Sequence, residues 1–290
     1  LSKPIVQLHT IDQWMELSPD IRVLILKNIK LKERLFKFLK DRHSAKKQEL
    51  KLGDWIPCVK CETKGWLAAE PRLPGLHPSQ LPHPCLLKIY NEMVGEPGQG
   101  TFDPRTQLVF DLGHAVHDMF QAYGKAGAWG PIYEPEATLS QTLQELSERL
   151  MIEGHADAEN ILTVDIDGSP VVYEVGIIHE YKTMNDRNFD KLTQPKPEHK
   201  TQALVYSACL NRPVVVYLYF NKDNQNLADF PVQFSPDAWL QIETKALVLL
   251  DAVKEKKPPV ATAGFHCQYC PYVMTCSTYE KQFKANMKKG

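Results

Sequence analysis

From Val171 to Lys182 the chain reads Val-Val-Tyr-Glu-Val-Gly-Ile-Ile-His-Glu-Tyr-Lys, and from Pro213 to Asn221 it reads Pro-Val-Val-Val-Tyr-Leu-Tyr-Phe-Asn. Both runs are β-branched, aromatic and mostly apolar, which predicts two strong strands and so constrains the whole chain to a sheet-centred fold. A weaker strand is predicted over Leu227–Phe234, and Glu148–Asp157 reads as another with Ile161–Asp165 as its hairpin partner. Helices are expected on either side of this group. Ser79 is the N-cap signal for a helix through Cys85, Leu86, Ile89 and Tyr90, confined by Pro82 and Pro84 to the stretch from Pro84 onward. A second should run from about Pro104 to Tyr123, with Leu108, Val109, Leu112, Val116, Met119 and Phe120 on its apolar side. Two more are predicted over Pro197–Leu210 and from Pro236 to about Lys256, the last stopping before Pro258-Pro259. No internal repeat is present. The expected class is α/β or α+β, with a central mixed sheet flanked by helices.

Charge is balanced in total, 34 basic against 35 acidic residues, but not in distribution. Between Lys27 and Lys51 ten Lys or Arg (Lys27, Lys30, Lys32, Arg34, Lys37, Lys40, Arg42, Lys46, Lys47, Lys51) face three acids (Glu33, Asp41, Glu49). Ile29, Leu35, Phe36, Phe38 and Leu39 lie in the same stretch, so it reads as one or two basic amphipathic helices. Such a helix is either a solvated face or a phosphate-contacting one. Four further lysines fall between Lys281 and Lys289. No run approaches the roughly 18 apolar residues of a membrane span, so no membrane association is expected. The first residues carry no signal-peptide pattern, and an intracellular, cytoplasmic location is the expectation.

The stretch richest in chemistry is Gly154-His155-Ala156-Asp157, followed by His179-Glu180-Tyr181-Lys182-Thr183. Alternation along a strand points Glu180 and Lys182 to one face and Tyr181 to the other. Asp157, on a neighbouring strand, can project into the same cleft. Two carboxylates converging on one point suit Mg²⁺ or Mn²⁺, and a lysine beside them can orient water and stabilise charge on a phosphoryl oxygen. Asp165 and Asp167 belong to a turn (Asp-Ile-Asp-Gly), whereas Glu174 is the stronger rival to Glu180.

An E-x-K triplet alone is common on surface strands. Its company is not. Gly113 and His117 precede it, and Gln202 and Tyr206 follow it. In that order, Gly113/His117, Gly154/Asp157, Glu180/Lys182 and Gln202/Tyr206 resemble the four motifs of the RecB-type branch of the PD-(D/E)XK nuclease superfamily. The resemblance covers roughly Ser79 to Cys276. It implies a restriction-endonuclease-like core in which His117, Asp157, Glu180 and the carbonyl of Tyr181 ligate the metal. Lys182 would be the catalytic lysine, with Gln202 and Tyr206 holding the lysine region and the DNA backbone. His114, three residues before His117, leaves a swapped assignment open.

Seven cysteines, an odd number, do not make a disulfide framework. Cys267, Cys270 and Cys276 form a C-x2-C-x5-C loop after the last long helix, with Cys85 as the natural fourth thiol. This pattern resembles the [4Fe–4S] members of the same branch, CRISPR-associated RecB-like exonucleases among them. The alternative at the same four thiols is structural zinc. Cys58 and Cys61 stand outside that pattern. They read as a knuckle that takes a second zinc with His77 and His83, as competitors of Cys85, or as free thiols. Cys209, among apolar neighbours, is expected in the core.

Residues 1–75 thus read as a basic helical extension with the Cys58/Cys61 knuckle, and residues 76–290 as a RecB-like nuclease domain closed by the C-terminal cysteines. The expected activity is metal-dependent DNA exonuclease action on single-stranded ends, in recombination, repair or phage and mobile-element DNA processing. The expected partners are DNA and recombination or helicase proteins. Tyr90, Phe120, Tyr206 and Tyr269 are candidates for stacking bases. A structure-selective endonuclease would use the same residues. A non-catalytic DNA-binding subunit would be expected to have lost one of Asp157, Glu180 and Lys182, and a zinc-finger-like binder would leave the four ordered motifs as accidents.

Overall fold

The computed structural model describes residues 3–45, 75–98, 104–138 and 149–282. Cys58 and Cys61, the basic residues from Lys46 to Lys51, Glu148 and the lysines beyond Lys281 lie outside these residues.

Six strands form one mixed sheet. In chain order they are β1 (Ile5–Leu8), β2 (Tyr133–Thr138), β3 (His155–Asp165), β4 (Val172–Met184), β5 (Val214–Asn221) and β6 (Leu227–Gln233). The order across the sheet is β2-β3-β4-β5-β6, with β1 also paired to β4. β1 and β5 both run parallel to β4, β1 along Val172–Val175 and β5 along Ile177–Met184, while the other pairs are antiparallel. Gly176 sits at the handover between β1 and β5. A Cβ there would lie 2.6 Å from the carbonyl oxygen of His9, so no side chain fits. The edge strands β2 and β6 each carry a proline, Pro135 and Pro231, which blunts them against further pairing.

Helices cover both faces. On one face, α1 (Ile11–Met15), α2 (Pro19–Asn28), α3 (Leu31–Ala45) and the second half of α5 (Pro104–Lys125) pack on β3, β4 and β5. Trp14, Ile25, Ile29, Leu31 and Leu35 are buried there against Leu162, Val175, Ile177, Val216 and Leu218. Asp229 of β6 accepts the Lys32 N–H at 3.1 Å, capping α3 from the sheet edge. On the other face lie α4 (Leu86–Met93), α7 (Pro197–Leu210) and α8 (Pro236–Lys254), around Ile178, Val215, Tyr217 and Tyr219. A short helix α6 (Asp186–Phe189) follows β4, and two 3-10 turns (Phe265–Tyr269, Val273–Thr275) lead to α9 (Ser277–Gln282). Covered on both faces, β5 has no exposed residue.

Three expectations need correction. The described residues 149–165 do not form a hairpin: His155–Asp165 is one strand, antiparallel to both β2 and β4. Asn160, which looks like a turn former, sits in the strand interior because its side-chain amide donates to the Trp129 carbonyl at 3.0 Å. The predicted apolar side of α5 is buried only in its second half, at Val116 and Phe120, while Leu108, Val109 and Leu112 are exposed. A helix of 22 residues runs about 33 Å, and at Gly113, near its middle, a Cβ would come within 3.9 Å of Thr183 of β4. Finally, the N-terminal segment is not purely helical, since β1 is a strand of the sheet and the helices after it share its core.

Candidate active site

The site forms where the sheet splays. The β3–β4 ladder runs from Asp165/Val172 to Ala158/His179 and stops there. On the other side of β3, Glu136 occupies the β2 position facing Asp157 with φ of 58°, a left-handed residue within a strand and the mark of a local kink. Asp157 therefore lies beyond the ladder, and its side chain takes over pairing duty. Its Oδ2 accepts the Tyr181 N–H at 2.6 Å, and its Oδ1 lies 2.9 Å from His117 Nδ1. An extended residue presents its N–H and C=O to the same neighbour, so the Tyr181 carbonyl faces this gap too. The Tyr181 ring points to the opposite face, where its hydroxyl meets that of Tyr133 at 2.8 Å.

α5 supplies two of these contacts one turn apart. His117 reaches the Asp157 carboxylate, and Gln121 donates from Nε2 to the Asp157 carbonyl at 3.2 Å. Gln121 belongs to none of the sequence motifs, and its i+4 spacing from His117 is the one signal that points to it. His114 is exposed, whereas His117 contacts Asp157.

Glu180 and Lys182 emerge on the other face of β4, toward α7. Lys182 Nζ donates to Glu180 Oε2 at 2.7 Å, and Glu180 is 2 % exposed. From α7 the Gln202 amide donates to the Tyr206 hydroxyl at 2.8 Å, and that hydroxyl hydrogen-bonds Glu180. Gln202 and Tyr206 are one turn apart and both buried, so they brace the carboxylate from behind.

The electrostatics follow from burying two acids together. Burial, aided by the charge of Asp157, pushes the Glu180 carboxyl up to about 7 despite Lys182. Burial also acts against ionised Asp157, but His117 and Lys182 outweigh it and hold that carboxyl below its usual range. Lys182 is likewise opposed by burial, yet Glu180 and Asp157 hold it above its usual value, so it remains an ammonium. His117, opposed by burial, is raised by Asp157.

The donor chemistry suits a hard divalent cation: two carboxylates, one backbone carbonyl and one imidazole, in a pocket where a buried carboxyl resists ionising. Among the described residues, no three His, Cys, Asp or Glu side chains are gathered at ligating positions. The Asp157 oxygens are occupied by His117 and Tyr181, and Glu180 Oε2 by Lys182.

The competing acids fall elsewhere. Asp165 is at the far end of β3, about 26 Å along the strand from Asp157. It pairs with Lys3 at 2.7 Å, and Asp167 lies in the turn that follows. Glu174 shares a face with Glu180 but lies about 20 Å away beside His9. Of the aromatics considered for stacking bases, Tyr90, Phe120 and Tyr206 are buried, and Tyr269 is 76 % exposed.

His179, next to Glu180, is a buried group that no sequence motif marks. It is fully buried between Trp129, Tyr133 and Tyr181, and neither ring nitrogen has a hydrogen-bond partner among the described residues. Burial lowers its pKa to about 3, against a smaller opposing effect of Asp157. Stability from a neutral buried histidine is complete above the unfolded value of about 6.5 and is lost as the pH falls toward the folded one. At pH 5 this amounts to about 2 kcal/mol. His179→Leu, of similar volume, removes this dependence. Urea unfolding should therefore show the variant gaining about 2 kcal/mol on the parent between pH 7.5 and pH 5. A difference that does not move with pH would mean that the ring is protonated or solvated in the folded protein.

The C-terminal loop returns to the start of α4. Cys85 sits at the N-cap position of α4, the rings of His83 and His266 meet edge to face at 4.9 Å, and the Tyr272 hydroxyl donates to the Glu96 carbonyl. Burial raises the Cys270 thiol, with Cys85 and Cys267 adding to that, while the Tyr272 backbone and Lys88 oppose it. Cys85 and Cys267 are buried, and Cys270 and Cys276 are half-buried. Cys209 is fully buried in the core, its thiol pushed up to about 12 by burial.

A mixed α/β fold with helices on both faces of a six-stranded sheet, and its buried acids where that sheet splays, is consistent with a restriction-endonuclease-like architecture. No family model matches the chain, and no curated protein matches it by sequence. Among solved structures, it is similar to SSO0001, with 15 % identity and a TM-score of 0.40 over 85 % of this chain and 95 % of that one. It is also similar to LHK-Exo in complex with dAMP, with 13 % identity and a TM-score of 0.42 over 64 % and 90 %. A second structure of that protein, an alkaline exonuclease from Laribacter hongkongensis, matches with 13 % identity and a TM-score of 0.31 over 64 % and 91 %. Among the described residues no helix is long and apolar enough to cross a membrane.

Proposed function

We propose that the protein is a metal-dependent DNA nuclease of the RecB-type PD-(D/E)XK kind, an exonuclease acting on single-stranded ends. The observation that carries this reading is the meeting of Asp157, Glu180 and Lys182 around one gap in the sheet, braced by His117 and Gln121 on one side and by Gln202 and Tyr206 on the other. Mg²⁺ or Mn²⁺ held by Asp157, Glu180, the Tyr181 carbonyl and His117 would polarise the scissile phosphate and screen its developing charge. Against burial, Glu180 and Asp157 hold Lys182 above its usual value, as an ammonium. In that form it would donate to a phosphate oxygen, stabilising charge as water attacks phosphorus in line; the water gives its proton to bulk solvent, and the leaving oxygen takes one up as its bond to phosphorus breaks. To ligate a cation, His117 would have to be neutral and its contact with the Asp157 carboxylate would have to give way.

The test is digestion of end-labelled linear and covalently closed circular DNA, single- and double-stranded, with Mg²⁺, Mn²⁺ or chelator. Cation-dependent loss of linear single strands with circles intact is the expected result. Cleavage of circles would replace exonuclease by endonuclease action, and no cleavage of any substrate would overturn the reading.

For the thiols we propose a [4Fe–4S] cluster on Cys85, Cys267, Cys270 and Cys276, which would tie the C-terminal loop to α4. Protein purified without oxygen should be brown, with a broad visible absorbance and about four irons and four labile sulfides per chain. Cys267→Ser should lose the colour and the iron together. Colourless protein with one zinc per chain would assign the four thiols to zinc instead.

A further inference from the structure

The proposed chemistry turns on where the Lys182 ammonium sits, and Glu180 is not its only neighbour. Nζ lies over the Tyr217 ring, 5.9 Å from its centroid. The β4–β5 register sets Glu180 opposite Tyr217 and Lys182 opposite Tyr219, so all four side chains emerge on one face. Both tyrosines are fully buried. His199, in the first turn of α7, stacks on both, with centroids 5.5 and 5.6 Å apart and planes within 20° and 28°. Three hydrogen bonds lock the stack. The Tyr217 hydroxyl donates to the His199 carbonyl at 2.6 Å, His199 Nδ1 meets the Tyr219 hydroxyl at 2.6 Å, and the Lys196 N–H donates to that hydroxyl at 3.4 Å.

A lysine ammonium is a compact charge on a flexible four-carbon stem, so one hydrogen bond leaves it several rotamers. An aromatic face beneath it removes that freedom and attracts the charge through the ring quadrupole. The third member of the stack stays compatible with a cation. Burial first, then the charges of Lys182 and Lys196, lower the His199 pKa to about 3, so near pH 7 the ring is neutral.

We propose that the Tyr217–His199–Tyr219 stack is the positioning device of Lys182, with Tyr217 as the positioning residue and the other two rings locking it. The proposal rests on the nuclease reading above. It is tested by steady-state hydrolysis of a labelled single strand with Mg²⁺, comparing the parent, Tyr217→Phe, Tyr217→Leu and Lys182→Ala, each shown by its thermal midpoint to be folded at the assay temperature. Tyr217→Phe keeps the ring and should stay within about threefold of the parent, while Tyr217→Leu should lower kcat about tenfold with KM for DNA unchanged. Parental kcat in folded Tyr217→Leu, or equal impairment in Tyr217→Phe, overturns the proposal. Should Tyr217→Leu fail to fold, His199→Ala, at the partly exposed end of the stack, carries the same kcat comparison and the same overturning result. Parental activity in Lys182→Ala would instead strike the nuclease reading itself, so the two failures are distinguishable.

Discussion

Asp157→Ala and Lys182→Ala should each lower DNA hydrolysis by roughly a thousandfold or more, yet for different reasons and with different costs to the fold. Asp157 accepts the Tyr181 N–H and holds His117, and its backbone carbonyl is gripped by Gln121. Truncation leaves the Tyr181 N–H without its acceptor at the end of the ladder, which costs about 1–3 kcal/mol in addition to the lost cation ligand. Lys182→Ala removes the cation that opposes burial of Glu180. The Glu180 carboxyl should then rise further and stay protonated near neutral pH, so the variant folds but its carboxyl binds cations poorly. Isothermal titration with Mn²⁺, beside the cleavage assay, separates the two. Asp157→Ala should lose cation binding at every pH, whereas Lys182→Ala should regain part of it as the pH is raised and Glu180 ionises. Cleavage at the parental rate in both folded variants would remove the proposed site altogether.

Much of that site was legible in the sequence because its elements are local. Glu180, Tyr181 and Lys182 are set by period-two alternation, and Gln202 with Tyr206 by one helical turn. The register that brings Asp157 to Tyr181 is a different matter. It depends on a kink at Glu136 in β2, a strand with a proline and two glutamates and no strand-like pattern. Asn160 lies inside the neighbouring strand, where its side-chain N–H donates to the distant Trp129 carbonyl while its side-chain oxygen has no partner among the described residues. Tyr217, Tyr219 and His199 read simply as strand and helix residues, since their role arises only where β5 lies beside β4 and α7 crosses both. The predicted apolar side of α5 extends past the sheet, because periodicity reports which residues share a face but not how much of that face finds cover.

The N-terminal strand was the least legible element of all, and it carries the largest expected effect on folding. Ile5–Leu8 is four residues long with one buried side chain, too short and too exposed to declare itself. Its pairing with Val172–Val175 makes it a strand, and the chain after it lays Trp14, Ile25, Ile29, Leu31 and Leu35 on the sheet, each at most 1 % exposed. Each such aliphatic side chain contributes about 1.5–3 kcal/mol by burial, against a typical whole-protein stability of about 5–15 kcal/mol. Removing residues 1–40 would also bare Leu162, Val164, Val175 and Leu218 on the sheet face. The truncated chain should therefore be insoluble or lack a cooperative unfolding transition. Trp14→Ala offers a graded version, with an expected loss of about 3–5 kcal/mol in urea unfolding. A soluble truncated chain that unfolds cooperatively at the parental midpoint would show that residues 1–40 are a separable appendage. In that case their basic helices could be removed to test DNA contact directly. If the truncation unfolds as expected, that question passes to charge-neutralising substitutions at the exposed residues Lys27, Lys30, Lys37 and Lys40, which leave the buried face of α2 and α3 intact. If α3 touches phosphate, the slope of log affinity against log salt should fall by about one for each phosphate the variant no longer neutralises. An unchanged slope would make these helices a solvated wall of the core.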